Sequence, residues 1–286
     1  MEKNSTLSVE NAYQACEQLA KNHYENFPVA SFFLPKTVRR SITVFYAFAR
    51  FADDIVDEGS FSPQERLQTL ETYWQDLVET RQGNPPNKAI FVALRDTLDR
   101  HPQIPTELLF DLLRAFKQDI TQAQYENFAE IEAYCRWSAN PIGRLLLHLT
   151  SNATEQNCQA SDAICTALQL INFIQDIHSD LTLRNRCYLP QDEIQRFSVN
   201  IEDIRLKQEN SSLQTLIALQ TTRAAALLEN GRPLGKRLNH LFGLEIRFIT
   251  EAGAFIAQKL SKRHSIYQRP LLSKWQMPLL FLKALT

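Results

Sequence analysis

Seven glycines in 286 residues is roughly a third of average usage. Glycine lets a backbone enter left-handed conformations and approach a phosphate closely. A Rossmann domain, a P-loop and a β-sandwich each need more of it, for phosphate loops or for many tight turns. The 31 Lys and Arg residues stand against 32 Asp and Glu, so the chain is not built to bind nucleic acid by neutralising phosphates. What remains is a large, mostly helical globule with ample core.

Cys16, Cys135, Cys158, Cys165 and Cys187 are odd in number and show no CxxC spacing. That pattern reads as reduced thiols rather than a disulfide frame or zinc site. Residues 1–10 are polar and lack the apolar centre of a signal peptide. No apolar run approaches the length of a spanning helix. The expected location is the cytoplasm.

Helical periodicity runs through nearly every segment. Helices are expected over Val9–His23, from Pro35 to Glu58, from Ser62 to about Arg81, and over Asn87–Arg100 and Thr106–Thr121. Further ones are expected over Ala129–Thr150, Ser161–Leu183, Ser212–Glu229 and Leu234–Leu260. Gly59 should stop the second as a left-handed residue. Ser62-Pro63-Gln64-Glu65 carries an N-cap serine, a first-turn proline and a capping-box glutamate. With no linker, repeat or composition shift, residues 1–286 read as one all-α domain. The tail, Ile266 to Thr286, mixes Trp275, Leu279, Leu280 and Leu282 with Arg269, Lys274 and Lys283. It either lies peripherally on a membrane surface or docks on the core as a final helix.

In Arg50-Phe51-Ala52-Asp53-Asp54-Ile55-Val56-Asp57-Glu58, a helix puts Asp53 and Asp57 on one face, one turn apart. Val44, Phe45, Phe48, Phe51 and Ile55 place that helix largely in the core, where unpaired carboxylates are costly. A hard divalent cation would compensate them. A solvated acidic helix end paired with Arg50 is the plainer alternative for this stretch alone.

A second motif, Asn172-Phe173-Ile174-Gln175-Asp176-Ile177-His178-Ser179-Asp180, shifts the balance. Asp176 and Asp180 repeat the spacing, and Asn172 lies one turn before Asp176. Mg²⁺ takes one or two carboxylates and completes its octahedron with water and substrate phosphate. Two such ladders turned inward suggest a diphosphate held through Mg²⁺. Tyr46, Arg50, Arg186 and Tyr188 flank the ladders, and such side chains pair with phosphate oxygens. Phe27, Phe32, Phe33, Phe45, Phe48 and Phe173 could wall the pocket and stabilise a cation with their ring faces. Core packing is the commoner role for any one of them. His23 and His178 read as hydrogen-bonded helix histidines.

Together these residues resemble the squalene/phytoene synthase family. The likeness spans about Ala12 to Ala257. It rests on His23-Tyr24-Glu25-Asn26-Phe27, Tyr46 with Ala47-Phe48-Ala49-Arg50-Phe51-Ala52-Asp53-Asp54, Tyr134-Cys135, Leu168-Gln169-Leu170, and Arg186-Cys187-Tyr188-Leu189-Pro190. The resemblance implies an isoprenoid-synthase helical bundle around a central cavity and Mg²⁺-dependent ionisation of a prenyl diphosphate. By position, Asp53, Asp57, Asn172, Asp176 and Asp180 would bind Mg²⁺. Tyr46, Arg50, Arg186 and Tyr188 would hold the diphosphate, and Tyr134 and Gln169 would line the cavity.

Two departures narrow the likeness. Tyr134-Cys135-Arg136-Trp137-Ser138-Ala139-Asn140-Pro141-Ile142-Gly143 replaces the small, flexible segment usual in condensing members. Gln175 stands before Asp176 where many members have arginine, which removes one cation. With residues 23–31, these features look like the hydroxysqualene-forming branch. That branch implies ionisation of presqualene diphosphate and capture of the rearranged cation by water, for which Asn140 is the expected positioning residue. The alternative is head-to-head condensation of farnesyl or geranylgeranyl diphosphate.

Overall fold

The computed structural model describes residues 7–22, 34–273 and 275–285. His23, Phe27, Phe32, Phe33 and the 23–31 motif lie outside the described residues. Those described form helices and connecting loops, with no strand among them and a single isolated bridge between Tyr125 and Pro190. All five cysteines are free. The chain groups into two compact units, residues 1–121 with 145–152, and residues 122–144 with 153–286.

The first unit holds α1 (Val9–Asn22), α2 (Lys36–Asp57), α3 (Pro63–Arg81), α4 (Ala89–Arg100) and α5 (Glu107–Thr121). The apolar face of α2 supplies Val44, Phe45, Phe48, Ala52 and Val56 to its core. Phe48 stacks on Tyr73 at 5.1 Å and meets Phe91 edge-on at 6.2 Å. Phe45 and Phe48 are therefore ordinary core residues. Phe51 departs from expectation: it is exposed, its ring leaning on Tyr73 at the rim of this cluster.

The end of α2 is fixed by α3. Gly59 takes φ +74°, the left-handed conformation that lets the chain leave the helix. The capping box is formed: Ser62 Oγ accepts from the Glu65 amide at 3.3 Å, and Glu65 Oε2 accepts from the Ser62 amide at 2.8 Å. This sets Arg66 one residue further on, where Nη1 donates to the Ile55 carbonyl at 2.7 Å and to that of Val56 at 2.5 Å. Nη2 donates to the Gly59 carbonyl at 2.8 Å. A helix end carries carbonyls with no intrahelical partner, and a cation there also meets the negative end of the dipole.

The second unit contains α6 (Phe128–Ser138), the start of α7 (Asn140–Leu149), α8 (Glu155–Gln175), α9 (Ile177–Leu183), α10 (Gln191–Arg196) and α11 (Ile201–Arg205). It continues with α12 (Ser211–Gly231), α13 (Leu234–Arg237), α14 (His240–Lys262) and α15 (Met277–Leu285). Helix α8 packs along α12, and α15 packs on α14. The tail is thus a docked helix, with Leu280 and Ala284 buried.

Three expected helices are broken, each at a chemically legible point. The 129–150 helix divides at Ala139, because Pro141 has no N–H to carry the helical hydrogen-bond ladder across that point and is suited instead to the first turn of a new helix. The 234–260 helix divides at Asn239, whose side chain accepts from the Phe242 amide at 3.2 Å and starts α14 afresh. The 161–183 helix begins six residues earlier, at a Thr154 N-cap, and is interrupted at Asp176.

Candidate active site

In the first unit, Asp53, Asp54 and Asp57 occupy the last turns of α2, one turn beyond Arg50. The guanidinium of Arg50 reaches Asp53 Oδ2 at 3.4 Å, Asp54 Oδ1 at 2.7 Å and Glu58 Oε1 at 3.1 Å. Tyr46, one turn earlier, is within electrostatic reach of Arg50. One cation is shared among three carboxylates. Burial, then the Asp57 charge, pushes the Asp53 carboxyl up to about 6, with Asp54 and Asp119 adding to the effect and Arg50 opposing it. Asp119, on α5, carried no sequence signal: it sits in Lys117-Gln118-Asp119 without a spaced partner, and only the packing of α5 against α2 brings it near.

In the second unit, Asp176 stands between α8 and α9 with φ −106° and ψ 11°, in the sparsely populated bridge region. The hydrogen-bond ladder nevertheless passes through it. Its N–H donates to the Asn172 carbonyl at 2.9 Å, and the Asp180 N–H donates to its carbonyl at 2.8 Å. The one-turn relation among Asn172, Asp176 and Asp180 survives the break. Asn172 is exposed, while Asp176 and Asp180 are half-buried.

Each aspartate meets an arginine. Arg184 Nη1 lies 3.2 Å from Asp180 Oδ1. Arg269 forks onto Asp176, Nε to Oδ1 at 2.9 Å and Nη2 to Oδ2 at 3.0 Å. Beside that fork, Gln175 Nε2 donates to the Pro270 carbonyl at 2.6 Å. Burial raises the Asp176 carboxyl pKa against the pull of Arg269 and Arg184. Arg269 was read from the sequence only as part of a basic tail, because nothing local ties it to a motif 93 residues away.

The aromatic residues converge. Tyr188 lies flat on Phe173, ring centres 3.8 Å apart and planes 8° apart. Tyr134 meets Tyr188 at 5.6 Å and Phe173 at 6.1 Å, and Tyr125 closes the group. A small cleft is lined by Phe173, Asp180, Arg186 and Tyr188 among aliphatic residues. Four sequence-selected residues, Phe173, Asp180, Arg186 and Tyr188, therefore meet at one place, with Tyr134 against them. Gln169 is half-buried on α8. His178 Nδ1 lies 3.0 Å from the Ile204 carbonyl, a structural hydrogen bond.

Asn140 is buried at the start of α7, where Oδ1 accepts from Thr166 Oγ1 at 3.0 Å. Gly143, one turn on, lets α7 lie close to α8: a Cβ there would fall 2.7 Å from Cys165 Sγ and closer still to Ser161 Oγ.

The donors suit Mg²⁺ in kind. They are hard carboxylate oxygens, and Asp57, Asp54 and Asp119 add a negative field at Asp53 that Arg50 opposes. Among the described residues no three His, Cys, Asp or Glu side chains are grouped to cage a metal. Mg²⁺ does not require such a cage, since water and phosphate oxygens complete its shell.

Two acidic ladders with flanking arginines on an all-α chain are side chains suited to divalent cations and to phosphate. The squalene/phytoene synthase profile matches residues 20–276, and the chain belongs to that family. It is 36% identical over 263 residues to the hydroxysqualene synthase of Sinorhizobium fredii, covering 90% of this chain and 87% of that one. The crystal structure of squalene synthase HpnC from Alicyclobacillus acidocaldarius superposes with a TM-score of 0.82 at 31% identity, over 90% of this chain and 96% of that one. A dehydrosqualene synthase in complex with ligand gives 0.83 at 25% identity, over 96% of both.

Proposed function

We propose that this family member is a hydroxysqualene synthase, a lyase that ionises presqualene diphosphate and adds water to the rearranged cation. The observation that carries the reading is the pair of departures from the condensing pattern. Asn140 and Gln175 are buried and hydrogen-bonded, to Thr166 Oγ1 and the Pro270 carbonyl. Both amides are thus built into the local structure. The identity to the Sinorhizobium fredii enzyme supports the same assignment.

Asp53 and Asp57 in the first unit, and Asn172, Asp176 and Asp180 in the second, are the residues that would hold Mg²⁺ ions. Such ions would supply charge stabilisation to the departing diphosphate. Arg50 and Arg186 pair with phosphate oxygens, and Tyr46 and Tyr188 each donate one hydrogen bond. The carbon–oxygen bond breaks with its electron pair leaving on the diphosphate. The aromatic cluster of Tyr134, Phe173 and Tyr188, in which Phe173 and Tyr188 cover one another's faces, would wall the cation left behind, with Gln169 as a further proposed lining residue. Water then adds through its oxygen and loses one proton. With Oδ1 of Asn140 accepting from Thr166, its amide N–H is what it offers that water, so Asn140 orients the water and does not deprotonate it.

Condensation of two farnesyl or geranylgeranyl diphosphates is the second reading, since the dehydrosqualene synthase superposes equally well. Product analysis by mass spectrometry separates them, with Mg²⁺ and either presqualene or farnesyl diphosphate. Hydroxysqualene from the first, with farnesyl diphosphate left intact, is the expected result. Consumption of farnesyl diphosphate alone would assign the condensing reaction.

A further inference from the structure

Residues 252–286 contain six Lys and Arg and no Asp or Glu, which leaves 25 basic and 32 acidic residues in the first 251. Positive charge is thus gathered at one end of a chain that is otherwise acidic. The same segment carries the most exposed aromatic ring of those described: Trp275 is 92% exposed. Leu279, Leu282 and Leu285 on α15 are 54%, 61% and 53% exposed, and Leu271 is 48% exposed.

The leucines of α15 form one surface for a geometric reason. At 3.6 residues per turn, Leu280 and Ala284 define the side of α15 that is buried, and α15 packs on α14. Leu279, Leu282 and Leu285 then fall around the opposite side, with exposed Lys283 at its flank. Exposed Lys262 ends α14. Lys259 holds the connecting segment down, its Nζ donating to the Leu271 carbonyl at 3.1 Å and to Gln276 Oε1 at 3.2 Å. The apolar face is therefore presented by a docked helix and not by a loose end.

An outward apolar stripe with Lys283 at its flank, in a segment that has no Asp or Glu of its own, matches an anionic bilayer surface in both polarity and charge. We infer that the outward face of α15, with Trp275, is a peripheral docking surface for anionic lipid. Trp275, Leu279 and Leu282 enter the headgroup boundary, while Lys262 and Lys283 face lipid phosphates. No helix among the described residues is long and apolar enough to cross a membrane, so the contact is lateral and reversible. A family that acts on prenyl diphosphates draws its substrates from amphiphiles, and α15 would bring the chain to where they partition.

The test is co-sedimentation of the full chain with vesicles of phosphatidylglycerol and phosphatidylcholine, or of phosphatidylcholine alone, without substrate. Binding should favour the anionic vesicles, weaken with added salt and shift tryptophan emission to the blue, a shift that Trp275→Phe should remove. Leu279→Ser with Leu282→Ser should lower the partition coefficient about tenfold or more, since each leucine loses buried apolar area. If that variant does not fold, Lys262→Glu with Lys283→Glu should weaken binding at low salt. Absence of anionic-vesicle binding, or equal binding by these variants, overturns the inference. Sedimentation velocity showing a dimer that the leucine variant dissociates would assign the face to a second copy instead.

Discussion

Arg269 lays its guanidinium across the carboxylate of Asp176, with N–O distances of 2.9 and 3.0 Å. The Gln175 amide, beside it, holds the Pro270 carbonyl at 2.6 Å. Where the sequence lacks a cation at residue 175, the fold returns one from the tail. A planar fork of this kind also fits phosphate oxygens.

Arg269→Ala should therefore lower kcat/KM about tenfold or more, in line with about 1.5–3 kcal/mol for a hydrogen bond to a charged group. Arg269→Lys should restore only part, because lysine cannot form the fork. Gln175→Ala should have a smaller effect in the same direction. Steady-state kinetics on the three variants checks the order; an Arg269→Ala enzyme with wild-type kcat/KM would remove this role.

Asp53 makes a pH prediction. Its carboxyl is raised from 3.8 to about 6 by burial and by Asp57, so the folded state binds this proton more tightly than the unfolded state. Without Mg²⁺, the stability cost of ionising it is absent below pH 3.8, grows up to about 6 and is complete above. Asp53→Asn should raise Tm at pH 8 and leave it nearly unchanged near pH 3.5. Added Mg²⁺ and pyrophosphate should stabilise the native protein at pH 8 more than the variant, and less as pH falls through 6. Thermal scans across pH, with and without those ligands, read both effects.

Arg66 is expected to act on stability and on the acidic ladder of α2 together. It satisfies the Ile55, Val56 and Gly59 carbonyls at the end of the helix that carries Asp57. Arg66→Ala should cost about 2 kcal/mol, lowering Tm by several degrees, and should raise the Mg²⁺ concentration needed for half-maximal rate. Calorimetry and a metal titration measure the two consequences separately.

Asn140→Ala should move product away from the alcohol, while Thr166→Val, which removes only the partner hydroxyl, should move it less. Mass spectrometry of products gives the ratio. An unchanged ratio in Asn140→Ala would separate Asn140 from water capture.

The sequence by itself determined what depends on neighbours in the chain. The Ser62–Glu65 capping box, the Gly59 stop and the one-turn spacings of Asp53 with Asp57 and Asp176 with Asp180 are short-range properties. A helix converts such spacing directly into a shared face, and so the all-α class and both acidic ladders were legible. The breaks at Ala139 and Asn239 also had local causes, in Pro141 and an N-cap, which apolar periodicity obscured. Only the tertiary structure decided what meets those ladders: Asp119 from α5, Arg269 from the tail, and Tyr188 stacked on Phe173. Each partner comes from another element, and its distance is set by packing between helices, on which sequence spacing is silent. The tail shows the same division. Its apolar and basic residues were plain in the sequence, but whether Leu279, Leu280 or Leu282 would be buried depended on which side of α15 the packing against α14 covered.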